Sequence, residues 1–421
     1  VIVGAGFGGL AAARSLRRRP VRVTLVDRRN YHLFQPLLYQ VAASTLSGSE
    51  IAAPVRHILR SQRNLACLMA EAAAVELDQR RLRLEDGRVC PYDFLVLATG
   101  STHAYFGHDD WAGHAPGLKT LEDALEIRRR FLLAFEQAEQ ADDPDLRREL
   151  LTFVIVGGGP TGVELAGTLK EMARLMVPRE FRRIRAERAR VILVEGGPAV
   201  LPAFGEGLSG TALEGLRRIG VEVVLGRAVT QVDATGIQLG EERIPARTVL
   251  WAAGVAASPL GRTLGVPLDR AGRVAVGPDL ALPGHPEVFI LGDLAAFPAK
   301  EGRILPGTAP VAIQEGRAAA KAILDTLRGT PRAPFRFRDK GSMATIGRGR
   351  AIAQVGSLHL SGFPAWLAWL FIHLLMLVGF RNRVLVFVEW VMAYLTTQNR
   401  SRLILARFRP WGSDKGKGDV N

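Results

Sequence analysis

Apolar residues along this chain gather in short, nearly unbroken runs instead of alternating with polar ones. Leu95-Val96-Leu97, Val154-Ile155-Val156, Val191 to Val194 and Val288 to Leu291 are of this kind. Runs of β-branched and aliphatic residues closed by a glycine or an acid read as strands covered on both faces. Stretches with helical spacing separate them, the alternation expected of a parallel sheet flanked by helices. The pattern predicts an α/β chain.

Two of the runs lead into glycine-rich loops about 150 residues apart, the separation expected of successive domains. The first is Gly4-Ala5-Gly6-Phe7-Gly8-Gly9, followed by a helix expected from about Gly9 to Arg18. Gly4 suits a tight turn, Gly6 a close approach to a pyrophosphate, and Gly9 a close helix–strand contact. Helix N-terminal amides would face the phosphates. A second strand, Val21 to Val26, ends at Asp27, 23 residues after Gly4, where a carboxylate can accept both ribose hydroxyls. This unit predicts a nucleotide site, with FAD as the expected occupant.

The second loop is Gly157-Gly158-Gly159-Pro160-Thr161-Gly162, with a helix expected through Met176. The strand from Val191 to Val194 ends at Glu195. A carboxylate there pairs with a free ribose and repels a 2′-phosphate, which predicts NADH over NADPH. Arg179 to Arg190 reads as an exposed insertion. Glu164 has two readings, an acid favourable to a helix start or a group where nicotinamide meets flavin. Trp251-Ala252-Ala253-Gly254 closes this domain as Ala98-Thr99-Gly100 closes the first, and Gly254 is expected to let backbone pass near a cofactor. Hairpin patterns recur at Asp78 to Asp93 and Asp233 to Arg247, so the two domains share one plan.

Gly292-Asp293-Leu294-Ala295 follows the buried run at Val288. Asp293 is expected at the ribityl or phosphate side of a flavin, or as a plain loop cap. A helix expected after Pro306 carries Gln314 and Glu315. They are candidates to hydrogen-bond a quinone carbonyl or move protons, or are ordinary solvated residues.

No Lys, Arg, Asp or Glu occurs from Leu358 to Phe380. The helical part, expected over Pro364 to Val378, is about 22 Å long at 1.5 Å per residue, short of a hydrocarbon core of about 30 Å. Trp366 and Trp369 are expected at an interfacial depth. A second apolar stretch runs from Val384 to Leu395. Flanking arginines, Arg381, Arg383, Arg400, Arg402, Arg407 and Arg409, fit an anchor lying on an anionic membrane surface. A dimer interface or a core hairpin is the alternative.

Composition narrows this reading only in part. The 421 residues are 48% hydrophobic and carry a formal charge of +14, which admits a membrane face or a nucleic acid. Nucleic acid is disfavoured because the arginines do not alternate with exposed aromatics. The two cysteines, Cys67 and Cys90, form no CxxC pair, so a redox disulfide and cysteine-held metal are not expected.

The combination resembles the type II NADH dehydrogenases, single-subunit NADH:quinone oxidoreductases that pump no protons. Both loops carry the resemblance, with Tyr31-His32-Leu33-Phe34-Gln35-Pro36-Leu37-Leu38-Tyr39-Gln40-Val41-Ala42, Asp339 to Gly347 and His373 to Arg383. It implies noncovalent FAD, NADH docked through the second domain, quinone near Gln314 and Glu315, and a homodimer held peripherally on the cytoplasmic side of the cell membrane. Family members read Ala-Gln-x-Ala-x-Gln where this chain has Pro310 in place of the first Gln, removing one quinone-contacting amide. Gly8, Arg28, Gln35, Thr99, Gly100 and Ala312 complete the expected cofactor set, and no metal is expected. The expected organisation is an FAD domain over 1–110 and 266–330, an inserted NADH domain over 111–265, and a membrane-surface domain over 331–421. The expected mechanism is ping-pong, NADH reducing the flavin and the reduced flavin reducing quinone. Alternatives are a sulfide:quinone oxidoreductase, which needs redox cysteines, a ferredoxin or rubredoxin reductase, and a membrane-associated NADH-binding flavoprotein sensor.

Overall fold

The computed structural model describes residues 1–299, 302–396 and 401–404. The chain forms two compact units. The first is assembled from Val1–Leu33, Ala52–His103 and Val255–Lys340, the second from Phe34–Ile51, Ala104–Gly254 and the chain from Gly341 on.

In the first unit a six-stranded sheet runs in the spatial order Ala281–Leu282, His285–Ile290, Leu95–Leu97, Ile2–Val3, Val23–Asp27, Leu65–Met69. All neighbours are parallel except the Ala281–Leu282 edge. Ile2 pairs with Leu25 on one side and Val96 on the other. The chain therefore leaves the central strand in one direction and returns on its other side. Open α/β sheets hold ligands at such a reversal, beyond the carboxyl ends of the strands. The Gly4–Gly9 loop lies there. Continuous apolar runs suit these strands because both faces are covered, and Leu95, Val96, Leu97, Val288, Phe289 and Ile290 are at most 1% exposed.

The second unit repeats the device on a smaller scale. Its parallel sheet has the order Val221–Leu225, Arg190–Glu195, Thr152–Val156, Thr248–Trp251, and the Gly157–Gly162 loop leaves a strand that again has neighbours on both sides. Both units are thus Rossmann-like. The hairpin patterns become antiparallel three-stranded sheets, Ala72–Glu76 with Arg81–Leu84 and Val89–Pro91, and Gln231–Asp233 with Gly236–Leu239 and Glu242–Pro245.

Several boundaries move. The first-loop helix is Phe7–Ser15, ending before Arg18, whose φ is +59°. The second-loop helix is longer than expected, Pro160–Glu180. The charge-free stretch opens on an edge strand, Leu358–Ser361, of a sheet with Ser342–Gly347 and Arg350–Val355. The helix Gly362–Met376 follows, then Phe380–Thr396. Among the described residues no helix is long and apolar enough to cross a membrane.

The tryptophan assignment is corrected. Trp366 is 8% and Trp369 1% exposed, so both fill the protein interior. The outward stripe of that helix is Phe363, Leu367, Phe371 and Leu375, spaced four apart as one helix face requires. The next helix exposes Phe380, Val384, Phe387, Val388 and Val391 while burying Val386 and Trp390. Arg383 Nε donates to Leu377 O at 2.9 Å. Arg402 pairs with Glu180. Arg400, Arg407 and Arg409 lie outside the described residues.

Candidate functional site

The two glycine loops are built on the same contacts. Gly4 has φ +99° and a Cβ there would stand 2.3 Å from Ala98 O, and Gly157 has φ +114° with a Cβ 2.5 Å from Ala252 O. A Cβ on Gly9 would lie 1.8 Å from Gly4 O, and one on Gly162 1.8 Å from Gly157 O. The outer glycines are therefore fixed by the loop's own packing. The middle ones are not, because a Cβ on Gly6 or Gly159 meets nothing within 4 Å. That open side leaves room for a phosphate to reach the backbone amides.

The acids closing the second strands are equally matched. Asp27 accepts from Ala5 N at 2.6 Å and Arg29 N at 2.7 Å. Glu195 accepts from Gly158 N at 2.5 Å and Gly197 N at 2.6 Å. Each carboxylate holds its loop with one oxygen and its own turn with the other. Each oxygen retains a second lone pair for a ribose hydroxyl.

Other first-unit candidates divide by what they touch. Thr99, beside the turn at Gly4, has a buried Oγ1 with no hydrogen-bond partner, a donor available to a bound dinucleotide. Gly100, φ +69°, accepts from Ser258 N through its carbonyl. Asp293 accepts from Ser101 Oγ. Ala295 is buried in a short strand beside Val274. Arg28 is exposed and paired with Glu71 at 3.0 Å. Gly8 and Ala312 meet at the crossing of helices Phe7–Ser15 and Ala309–Leu327, where a Cβ on Gly8 would stand 3.3 Å from Ala312 O.

Glu315 is 1% exposed, which removes the reading as a solvated helix residue. Its Oε2 accepts from Gly292 N at 2.5 Å, fixing the turn before Asp293. Burial, helped by the negative charge of Asp293, raises its carboxyl to about 7 against the opposing pull of the Gly292 amide. Gln314 has both ends of its amide in use, donating to Arg338 O and accepting from Arg338 N, each at 3.0 Å. It clasps the segment after the helix.

In the second unit Thr161 is exposed in the first turn of helix Pro160–Glu180. Gln35 is exposed there too and donates to Lys119 O. A Cβ on Gly254 would meet the Phe106 ring at 2.5 Å. Glu164 sits a turn inside its helix, past the free N-terminal amides. It is only partly buried as a residue, yet desolvation of its carboxyl raises it to about 8.

A line of hydrogen bonds runs from Glu164 that the sequence did not announce. Its Oε1 accepts from Thr345 N at 3.4 Å, and Thr345 Oγ1 lies 3.1 Å from Tyr39 Oη. Gln40 Nε2 donates to Tyr39 Oη at 3.0 Å, and Trp390 Nε1 donates to Gln40 Oε1 at 2.8 Å. Arg128 holds the Tyr39 segment by donating to Val41 O and Leu46 O. His32 was also missed. In the first unit its Nδ1 donates to Ala5 O at 2.8 Å, and burial lowers its pKa. Its signal was its place in the Tyr31–Ala42 segment, directly after the second strand of the motif.

Residues 1–316 match the pyridine nucleotide-disulphide oxidoreductase family and residues 340–399 the NDH2 C-terminal domain. The chain is 46% identical over 413 residues to the type II NADH:quinone oxidoreductase Ndh of Mycobacterium tuberculosis, covering 94% of this chain and 88% of that one. The chain belongs to the type II NADH:quinone oxidoreductase family. Its relatives include a probable NADH dehydrogenase of Dictyostelium discoideum, 30% identical over 93% of this chain and 88% of that one. Its fold is that of NDH2 from Plasmodium falciparum solved with NADH, with a TM-score of 0.88 at 20% identity, covering 96% and 99% of the two chains. The sulfide:quinone oxidoreductase of Aquifex aeolicus shares the fold at a TM-score of 0.72 and 19% identity, covering 94% and 95%. In this type II family member Cys67 and Cys90 are both free thiols, on strands Leu65–Met69 and Val89–Pro91.

Proposed function

We propose that this chain oxidises NADH and reduces a membrane quinone without pumping protons, using noncovalent FAD held by the first unit and NADH held by the second. The doubled loop carries this reading, since each unit has one glycine open to a pyrophosphate and one carboxylate set for a ribose. The buried, unpartnered Thr99 Oγ1 supports a resident group beside Gly4. When bound, FAD supplies the two-electron carrier between donor and acceptor. Asp27 and Glu195 hold the ribose ends, and Asp293, fixed through Gly292 and Glu315, holds the flavin side. Glu315 keeps a proton available near neutral pH, while Glu164 orients the nicotinamide or relays a proton. With its amide committed, Gln314 keeps the 338 segment in place, and quinone contact falls to Glu315.

Anaerobic rapid mixing tests the reading. NADH is expected to bleach the flavin quickly, and a short-chain quinone to restore its absorbance. Bleaching without recovery points to a sensor or to a reductase for another acceptor, and bleaching by sulfide alone to the sulfide-oxidising alternative. Glu195→Ala is expected to keep FAD and weaken NADH binding about tenfold or more, the scale of lost charged hydrogen bonds. Unchanged NADH affinity would remove Glu195 from the donor site.

The reading also places the protein peripherally on the cytoplasmic membrane face as a homodimer, with the Phe363–Leu375 and Phe380–Val391 stripes entering the lipid and Arg381 facing anionic headgroups. Serines at Leu367, Phe371 and Leu375 are expected to free the protein from anionic liposomes with little change in melting temperature. Serine at Trp369 is expected to lower melting temperature instead, since it empties a core position. Retention of the triple variant on liposomes would reject this anchor.

A further inference from the structure

A basic groove lies on the first unit. A groove of about 460 Å³ lies between helix Ala309–Leu327 and the segment from Ala333 to Arg338. Four cations line it, Arg317, Lys321, Arg336 and Arg338, against one carboxylate, Asp325. Arg317 and Lys321 stand one helical turn apart, roughly 6 Å along the axis. Burial alternates along the facing segment. Phe335 and Phe337 pack toward the core while Arg336 and Arg338 are exposed, a spacing of roughly 7 Å for extended chain. The charges form two facing pairs.

Like charges one turn apart repel and weaken a helix, so the arrangement has a cost. Several arginines elsewhere in this unit are held by carboxylates. Arg332 is bound to Asp279 at 3.0 Å, Arg273 to Asp269 at 2.7 Å and Arg28 to Glu71 at 3.0 Å. In the groove Lys321 alone is paired, with Asp325 at 2.7 Å. Among the described residues the guanidinium groups of Arg317, Arg336 and Arg338 meet no carboxylate. All four cations also fall between the matched family segments, which end at 316 and resume at 340.

We propose that this groove binds an anion carrying two or more phosphates, recognised by its charge and not by a base. Guanidinium forks pair phosphate oxygens bidentately, and the volume lies within the range of small-ligand sites. Phe335, the one aromatic in the lining, is 9% exposed, so no ring face is free to stack a base. The phosphates belong either to a free polyphosphate or nucleotide, or to the headgroup of a diphosphatidyl lipid.

Calorimetric titration with tripolyphosphate, using FAD-loaded protein saturated with NAD⁺, tests the site. Saturable binding that weakens steeply with salt is expected. It is expected to fall at least tenfold in Arg317→Gln/Arg336→Gln and to persist in Arg17→Gln/Arg19→Gln, which removes the same charge from an exposed loop. Turnover with a water-soluble quinone is expected to be equal in all three proteins. Displacement of tripolyphosphate by vesicles containing diphosphatidyl lipid, but not by neutral vesicles, assigns the ligand to the membrane. Displacement by ADP and GDP alike, with vesicles inert, assigns it to soluble phosphates. No binding by the unmodified protein, or equal binding by the groove variant, overturns the proposal.

Discussion

Gly162→Ala is expected to give a yellow protein that NADH no longer reduces, and Gly9→Ala one that no longer retains flavin. The cause is the same at both places. The added methyl carbon would sit 1.8 Å from a carbonyl oxygen, Gly157 O in one loop and Gly4 O in the other. These oxygens belong to the backbone of the same tight turn, so no rotamer change relieves the overlap. Either the helix moves off the strand or the turn opens. Forcing extra atoms into packed structure costs about 1–3 kcal/mol or more, and the distortion falls on the amides that would receive the pyrophosphate. A loss of about a hundredfold in affinity follows from the upper part of that range. Gly6→Ala and Gly159→Ala are the controls, because the protein offers no atom within 4 Å of either new methyl. Loss of binding there, with melting temperature unchanged, reports the ligand itself. Flavin retention through gel filtration and NADH bleaching rates measure both halves. If Gly162→Ala were reduced as fast as the parent, the second loop would not be the donor site.

The second large effect is on pH dependence. Glu164 is raised to about 8 and Glu315 to about 7, both chiefly by desolvation. A carboxyl raised on folding binds more protons in the native than in the unfolded chain between its two pKa values. Stability therefore falls as pH rises, from about 4.5 to about 8 for Glu164 and from about 4.5 to about 7 for Glu315. The slope is at most about 1.4 kcal/mol per pH unit for each group. Glu164→Gln and Glu315→Gln keep an oxygen for the Thr345 and Gly292 amides but have no proton to lose. Both are expected to melt higher than the parent at pH 9, with little difference at pH 5. Turnover of Glu164→Gln is expected to lose its dependence on a group titrating near 8. Melting curves parallel to the parent across that range would mean that neither carboxyl is desolvated as described.

Both loops could be read from the chain because local residues specify them. Gly9 and Gly162 answer to a carbonyl five positions back, Gly4 and Gly157 take a positive φ that glycine suits, and Asp27 and Glu195 end strands whose apolar runs are continuous. The hydrogen-bond line below Glu164 was closed to such reading. Tyr39 and Thr345 are 306 positions apart, and Gln40 and Trp390 are 350 apart, and no periodicity joins them. The tryptophans were misplaced for a different reason. Helix Gly362–Met376 is apolar on every side, so composition does not reveal which stripe faces the protein. Packing against strand Arg350–Val355 decides it, and that sheet rests on pairings the linear pattern does not show. Glu315 was singled out by position, but its bond to Gly292 needed the fold.

Over generations the doubled loop leaves little room for drift. Substitution at Gly4, Gly9, Gly157 or Gly162 strikes a carbonyl oxygen before any ligand is involved, so selection for folding alone holds these four in place. Two copies of one plan can then diverge only at the positions between and beyond these glycines. Phe7 against Pro160, Ala5 against Gly158, and Asp27 against Glu195 are such differences. The distinction between a group that stays and one that comes and goes has to be encoded in those few positions and in the segments beyond them.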